Sequence, residues 1–259
     1  MRGRFAAKRE MKRINVRWLE MQIVLRILIA ALLLCVGVSA AMPVSSQEEA
    51  AAAPSSDENR VSYRIERKGK KIGRHEVLRR QDEDGRYHVD ISFSIRVKFA
   101  FITAFKMDHQ ASEIWSADGQ LLDLKAFTDR KSGQFDVKIR PTEDESQYNL
   151  EVNGETEVAP AHLMPTSFTF PQGLFVGEER SVLLLDTLSG FLKPSTIHPQ
   201  DQVTLDVGGR SHQVDYYEIT YDETGDVTHR IWVDGDLTFV KLGLFTKDGH
   251  YIEYFREDA

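Results

Sequence analysis

Residues 87–99 read YHVDISFSIRVKF, and every second position from Val89 to Phe99 is apolar. Successive side chains of a β-strand point to opposite faces, so this alternation predicts a strand with one face on a core and the other in solvent. On a helix, the same apolar side chains would be scattered around the whole circumference. The stretch therefore predicts a long, half-buried antiparallel strand.

Similar alternating segments recur along the chain and are separated by short turns that contain glycine. Asn153-Gly154 and Gly208-Gly209 predict two-residue hairpins, because these residues tolerate the positive φ angles of such turns. Short connections favour pairing between strands that are neighbours in sequence. The pattern predicts one all-β domain over residues 61–259, a strongly curved antiparallel meander sheet or barrel of about 10–12 strands.

Residues 159–199 interrupt this rhythm. They contain Pro160, Pro165, Pro171, Pro194 and Pro199. Proline has no backbone N–H, which argues against a central strand here. The region is nevertheless rich in Leu, Met and Phe. We expect an irregular loop that covers one mouth or edge of the sheet, with a strand or short helix over residues 182–188.

Residues 1–40 have the features of a secretory signal peptide. A basic segment precedes the apolar run 27–38, and small residues follow at Ser39-Ala40-Ala41. The run is shorter than the roughly 18 residues that span a bilayer, so we expect cleavage rather than an uncleaved anchor. The expected location is the periplasm or the exterior of the cell. Met1, Met11 and Met21 all remain open as the true start.

Residues 41–60 are small, polar and acidic, which predicts a disordered linker. The whole chain has a net charge of −7, and removal of the basic leader makes the remainder more acidic. Such a surface repels nucleic acid and anionic head groups, so we expect neither nucleic-acid binding nor stable membrane insertion. Cys35 is the one cysteine and lies in the apolar run. We therefore expect no disulfide and no thiolate metal site.

Motifs for catalysis or cofactor binding do not emerge from the sequence. The eight histidines lack the spacings that aim two imidazoles at one metal ion. Asp186-Thr187 is followed by Leu188, whereas an aspartic protease needs glycine there. Ser167 does not lie in a Gly-x-Ser-x-Gly elbow, and no glycine-rich loop opens a helix. We expect no cofactor and no metal, and regard catalysis as the least favoured function.

Aromatic residues at strand ends and in the irregular region provide the candidate site. The simplest interpretation is that they fill the core. The alternative is an apolar cavity with residues 159–177 as its lid, since ligand pockets are mostly apolar with a few polar anchors. The candidate ligand-binding residues are Phe99, Phe101, Phe105, Trp115, Met164, Phe168, Phe170, Phe175 and Trp232. Arg96 and Lys98 are candidate anchors for an acidic head group, although solvated charges explain them more simply.

Short landmarks between Val61 and Phe255 resemble a known family. They are Tyr63, Gly69, Ile72-Gly73, Glu113-Ile-Trp115, Asp118-Gly119, Pro165-Thr-Ser-Phe168, Leu185-Asp-Thr187, Gly190, Trp232-Val-Asp234 and Asp248-Gly249. Together they resemble an exported proteobacterial domain of unknown function, DUF6134. Val233 departs from the pattern, which has tyrosine there, and Phe168 stands near an expected tryptophan or tyrosine. The resemblance implies a curved antiparallel sheet akin to the periplasmic lipoprotein-carrier group, and it implies no activity.

These observations predict an exported, monomeric β-sheet module that binds a hydrophobic small molecule, lipid or polypeptide segment without catalysis. Two alternatives remain open. One is a structural or protein-interaction module that docks another protein of the cell envelope. The other is an enzyme, a hydrolase with an unrecognised site.

Overall fold

The computed structural model describes residues 58–99, 102–169, 177–234 and 239–257. The predicted signal peptide (1–40) and most of the predicted linker (41–60) lie outside the described residues. Every regular element in the described part of the chain is a β-strand, which confirms the all-β class.

The described residues form sixteen strands. They are β1 (Asn59–Arg67), β2 (Lys70–Gln81), β3 (Tyr87–Phe99), β4 (Ile102–Trp115), β5 (Leu121–Arg130), β6 (Gly133–Pro141), β7 (Gln147–Val152), β8 (Glu155–Pro160), β9 (Leu163–Pro165), β10 (Arg180–Leu185), β11 (Leu192–Pro199), β12 (Val203–Val207), β13 (Arg210–Tyr221), β14 (Val227–Val233), β15 (Phe239–Phe245) and β16 (Tyr251–Arg256). The alternating stretch that predicts the fold is β3, with the expected bounds.

The strands follow one another in a meander with two wings. The order is β8-β7-β6-β5-β4-β3-β2-β1-β16-β15-β14-β13-β11-β10-β9, with β12 paired to β13 outside this path. The first and last strands meet at its centre, where Tyr63 of β1 pairs with Arg256 of β16. One wing therefore runs from β1 to β8 and the other from β16 back to β9.

The two ends of the path come together, which leaves a nearly closed, barrel-like sheet. β8 ends at Pro160 and β9 begins at Leu163, so the outermost strands are joined directly through Ala161-His162. The ends also pack on each other: a Cβ atom built on Gly190, between β10 and β11, would lie 2.3 Å from Cγ2 of Val152 in β7. We call this junction of β7–β8 with β9–β10 the seam.

The core lies inside the curved sheet, because each strand directs alternate side chains inward. In β3, Val89, Ile91 and Ile95 are buried, while Ser92 and Ser94 on the other face are exposed. The predicted turns are confirmed as well. Asn153-Gly154 has φ values of 52° and 87°, and Gly208-Gly209 has 61° and 81°, the left-handed backbone that a primed hairpin turn requires.

The sheet has more strands than the 10–12 expected, chiefly because residues 159–199 are not one irregular loop. They contribute β9, β10 and β11, and β9 pairs with β10 in parallel, with Leu183 opposite Leu163. The four prolines of this region that lie in described strands are tolerated because each is aligned with only one neighbouring strand. Pro160 and Pro165 lie in the outermost strands β8 and β9. Pro194 pairs towards β10, and Pro199 pairs towards β13. The segment expected as a strand or helix over 182–188 is the strand β10.

Candidate functional site

A pocket of about 530 Å³ opens at one end of the seam. The turn between β4 and β5 forms one side, and the β8–β9 link with β9 and β10 forms the other. Its apolar wall consists of Trp115, Leu121, Tyr148, Leu163, Met164 and Val182, and its polar rim includes Asp118, Gln120, His162, Arg180 and Ser181. Polar groups contribute about as much to the lining as apolar ones, and the largely buried Trp115 and Met164 present only a small part of their surface to the pocket.

The β4–β5 turn fixes one wall of this pocket. Gly119 has a φ of 87°, its N–H donates to the Ser116 carbonyl at 3.1 Å, and the Ser116 hydroxyl accepts from the Gln120 N–H at 2.8 Å. This tight reversal sets Trp115 directly opposite Leu121 in the sheet. The hydroxyl of Tyr148 in β7 donates to the Leu121 carbonyl at 2.9 Å and joins the wall to the seam.

A buried carboxyl group lies behind the wall. Glu113 is fully buried on the inner face of β4, and its Oε2 accepts hydrogen bonds from Trp115 Nε1 at 2.9 Å and Thr169 Oγ1 at 3.2 Å. Burial raises the pKa of Glu113, and hydrogen bonds from Ser167, Trp115 and Thr169 oppose that rise. The carboxyl thus holds the indole of the pocket wall and fastens the segment after β9 to β4.

The segment after β9 runs along the inside of the sheet before it leaves the described residues. The Thr166 N–H donates to the Leu185 carbonyl at 3.0 Å, and the Thr187 N–H donates to Thr166 Oγ1 at 3.2 Å. Phe168 is buried with a φ of 51°, a conformation that a bulky residue rarely adopts. The packed surroundings hold this strained backbone beside the pocket.

Asp186, the residue that invited comparison with aspartic proteases, serves the turn between β10 and β11. Its carboxylate accepts from the Leu188 N–H at 3.0 Å and from the Ser189 hydroxyl, and its carbonyl accepts from the Gly190 N–H at 2.7 Å. These are the local bonds of an Asx-type turn. In the described part of the chain, its role is to shape the loop that packs against the seam.

A second polar group in the interior was not predicted from the sequence. His75 and His109 are buried, and burial lowers the pKa of His75 to about 3 and that of His109 to about 4. His109 Nδ1 lies 2.9 Å from Thr128 Oγ1. Within the described residues, neither ring nitrogen of His75 has a hydrogen-bond partner, and the ring packs against Tyr63 and Tyr254 at 5.2 and 5.7 Å between centroids.

The alternation of β4 carries a signal for these groups. Met107, His109, Ala111, Glu113 and Trp115 occupy every second position, and all are buried. His109 and Glu113 occupy the same alternate positions as the apolar residues of this strand. The alternation therefore predicts that both side chains point inward. Motif spacing predicts neither group: no two histidines have the spacing of a shared metal site, and Glu113 belongs only to the Glu113-Ile-Trp115 landmark.

The structure brings two of the proposed ligand-binding residues together. Trp115 and Met164 line the pocket from opposite sides of the seam. Phe168 is buried nearby and contacts the His229 ring at 5.2 Å, and Phe105 is 39% exposed on β4. The side chain of Phe99, together with Phe101, Phe170 and Phe175, lies outside the described residues, as does part of the expected lid 159–177.

Trp232 lies apart from the pocket, on the outer face of the sheet. It stacks on Tyr216 at 4.8 Å, and the Lys241 ammonium lies 4.8 Å from its ring centroid. The β12–β13 hairpin adds Val207 and Val214 to a small separate core here. On the other wing, Nη2 of Arg96 donates to both carboxylate oxygens of Asp108, at 2.6 and 2.8 Å, while Lys98 is exposed.

A shallow groove of about 490 Å³ crosses the outer face of β1–β6. Six of its fourteen lining residues are charged, and several of these have an ion-pair partner. Lys138 contacts Asp136 at 3.3 Å and Glu151 at 2.8 Å. Phe127 lies in this groove and is 45% exposed. The charged side chains of this groove largely pair with neighbouring charges. We therefore take the seam pocket, and not the groove, as the candidate ligand site.

Neither a metal-ligand cluster nor a membrane-spanning helix is present in the described residues. No group of three or more His, Cys, Asp or Glu residues there is arranged to hold a metal ion. Within the same ranges, no helix is long and apolar enough to cross a membrane.

Comparison with known proteins places the fold and the family. No match was found among curated proteins. The crystal structure of a β-barrel-like protein of domain of unknown function DUF1849 from Brucella abortus is similar, with a TM-score of 0.56 and 13% identity over 76% of this chain and 94% of that one. A DUF1089 family protein from Pseudomonas aeruginosa gives a TM-score of 0.44 and 11% identity over 66% and 89%.

The first of these likenesses shows a shared barrel-like fold. Residues 63–257 match the family described as Domain of unknown function (DUF6134), which is nearly all of the described part of the chain. The chain therefore belongs to the DUF6134 family.

Proposed function

We propose that this protein is an exported, monomeric β-sheet module that binds an apolar small molecule non-catalytically in the seam pocket. The observation that carries the proposal is the pocket itself, whose apolar wall contains Trp115 and Met164. The buried carboxyl of Glu113 accepts a hydrogen bond from Trp115, so this wall is ordered in the absence of a ligand. A preformed wall favours binding because less side-chain entropy is lost.

Native mass spectrometry of the purified full chain tests ligand binding. We expect a co-purified small molecule that survives mild desolvation, and its loss in Ser181→Trp, which puts a large side chain into the pocket from an exposed rim position. Thr156→Trp, at an exposed position of β8 that does not line the pocket, is the matched control and should keep the ligand. An apo wild-type protein that also fails to bind added apolar probes would refute the proposal.

Export is proposed from the N-terminal sequence. The basic segment, the apolar run 27–38 and the small residues 39–41 support cleavage near residue 40. N-terminal sequencing of the protein recovered from the periplasm or medium checks this. A full-length protein retained in the cytoplasm contradicts it.

A second candidate function is protein docking in the cell envelope, favoured by the outer groove with its exposed Phe127. The groove offers one aromatic anchor within a polar, charged surface, which is the general composition of an interface. Affinity purification should then recover one stoichiometric envelope protein, and Phe127→Ser should abolish its recovery. Recovery unaffected by that substitution excludes this groove.

A further inference from the structure

The rim of the seam pocket carries a cation without a partner. Arg180 begins β10, is half-buried and lines the pocket. Among the described residues, its guanidinium has no ion-pair or hydrogen-bond partner. Most arginine side chains in an acidic protein are expected to find a carboxylate, as Arg96 does with Asp108. An unpartnered guanidinium in a pocket therefore needs an explanation.

The surroundings of Arg180 leave it available. Asp118 is the acidic residue of the lining, and its carboxylate already accepts a hydrogen bond from the Ser116 hydroxyl. Glu179, which precedes Arg180, contacts His198 at 2.9 Å. His162, the other basic residue of the rim, is exposed and likewise has no partner in the described part of the chain. The basic side of the rim is thus not neutralised by local ion pairs.

Other arginines without an ion pair or hydrogen bond among the described residues lie outside this pocket. Arg79 and Arg130 are half-buried like Arg180 but do not line it. Arg86 and Arg210 are exposed next to hairpin turns, where solvent satisfies them. Arg180 instead lies beside the apolar wall formed by Leu163, Met164 and Val182. A planar guanidinium suits a carboxylate or phosphate, to which it donates two parallel hydrogen bonds.

We propose that the seam pocket binds an amphiphile with an anionic head group, whose tail lies on the Trp115–Met164 wall and whose head pairs with Arg180. This inference rests on the proposed function and adds the class of ligand. The pocket of about 530 Å³ is within the range that holds small organic molecules. The net charge of −7 repels anions elsewhere on the surface, so the unpaired cation determines where the head group lies.

Calorimetric titration of the purified full chain with decanoate, decan-1-ol and acetate, below micelle-forming concentrations, tests the inference. Decanoate should bind at least about tenfold more tightly than decan-1-ol, because a charge-assisted hydrogen bond contributes that much or more. Acetate should bind negligibly, because it has no tail. A decyl phosphate arm distinguishes the head groups: equal or tighter binding than decanoate indicates a phosphate-bearing amphiphile.

Substitutions assign the effect to Arg180. In Arg180→Gln, decanoate affinity should fall about tenfold while decan-1-ol affinity stays the same. Arg180→Lys keeps the charge and should retain part of the preference. Arg210→Gln makes the same charge change at an exposed turn, and should alter neither affinity more than about twofold. Thermal melts of each variant verify folding.

The outcomes separate the two proposals. If decanoate and decan-1-ol bind equally, or if Arg180→Gln leaves their ratio unchanged, the anionic head group is excluded and the apolar site stands. If acetate binds as tightly as decanoate, the site is a small-anion site and the inference fails. If no tailed probe binds, the proposed function fails as well.

Discussion

The indole Nε1 of Trp115 donates a hydrogen bond of 2.9 Å to Oε2 of Glu113, and both side chains are buried on the inner face of β4. The same carboxyl oxygen accepts a hydrogen bond from Thr169, which lies beyond β9 in the other wing of the sheet. One buried carboxyl therefore connects the pocket wall, the interior and the segment that crosses from β9 to β10.

Removal of the Glu113 carboxyl should lower the free energy of unfolding, and the loss should depend on how many hydrogen-bond donors lose their acceptor. Glu113→Ala should lower the free energy of unfolding by about 2–4 kcal/mol, since it leaves a cavity and removes the acceptor of the hydrogen bonds from Ser167, Trp115 and Thr169. Glu113→Gln keeps the shape and one acceptor, and should cost about 1 kcal/mol or less near neutral pH. Urea denaturation measures both. Equal losses for the two substitutions would contradict the hydrogen-bond assignment.

The pH dependence of Glu113 has a defined sign. Burial raises its pKa above the ordinary value of 4.5, so its contribution is fully present below pH 4.5 and is lost as pH rises through the pKa of the folded state. The stability difference between wild type and Glu113→Gln should therefore shift in favour of the variant as pH increases from 4.5. A difference independent of pH would show that the carboxyl has an ordinary pKa.

The buried histidines act in the opposite direction. The pKa of His75 is lowered from 6.5 to about 3, so the unfolded chain binds more protons between these values. Stability is complete above pH 6.5 and is lost progressively as pH falls towards 3. His75→Phe should make the fall in unfolding free energy between pH 6.5 and 4 shallower. At pH 7 it should be neutral or stabilising, because a ring with two unpartnered nitrogens is replaced by an apolar one.

His88→Phe is the matched control for this measurement. His88 is half-buried, and its Nε2 lies 3.0 Å from Asp82 near the surface. Its replacement should leave the slope between pH 6.5 and 4 unchanged. If both substitutions flatten the slope equally, burial of His75 is not the cause.

Closure of the sheet is testable at Gly190. Its φ of 80° disfavours any other residue, and a Cβ atom there would lie 2.3 Å from Cγ2 of Val152 across the seam. Gly190→Ala should lower the free energy of unfolding by about 2–4 kcal/mol through strain and overpacking. Gly209→Ala has the same kind of φ, 81°, with nothing within 4 Å, and should cost only about 1 kcal/mol.

A double-mutant cycle identifies the contact. Val152→Ala should relieve part of the cost of Gly190→Ala, giving a coupling of about 1 kcal/mol, whereas it should not couple to Gly209→Ala. Additive losses in the first cycle would mean that the two ends of the sheet do not meet at this point.

The Asp234–Arg256 ion pair joins the end of β14 to β16 at 2.6 Å, with only 13% and 11% of the two side chains exposed. Asp234→Asn should cost about 3 kcal/mol, because it removes one charge from a largely buried ion pair. The Arg80–Asp90 pair is exposed, at 44% and 45%, so Asp90→Asn should change stability by about 0.5 kcal/mol or less. Comparable losses in urea denaturation would contradict the difference in burial.

Much of the fold was predictable because its information is local. The alternation of Tyr87–Phe99 determines which face of β3 is buried, and Asn153-Gly154 determines a hairpin, each from the conformational preferences of neighbouring residues. The proline-rich region was misjudged because proline only prevents pairing on one side. Whether a neighbouring strand needs that N–H depends on the rest of the sheet. Pro194 and Pro199 are each aligned with only one neighbour, so both fit in β11.

The candidate site was predictable only in part. Trp115 and Met164 were chosen for their chemistry, and they line the same pocket. Trp232 was chosen for the same reason, but it packs under the β12–β13 hairpin on the outer face. Arg180 and Glu113 were not chosen, because an isolated arginine or glutamate has no distinctive pattern until its partners, or their absence, are known.

The sequence alone determined that this chain forms period-two strands joined by glycine turns, since strand alternation and positive φ are properties of adjacent residues. The tertiary structure decided where the two ends of the sheet meet, because Trp115 and Met164, or Glu113 and Thr169, are brought together by the curvature accumulated over many strands. The conformational preferences of adjacent residues do not encode this accumulated curvature. The seam pocket and its unpaired Arg180 are consequences of closure.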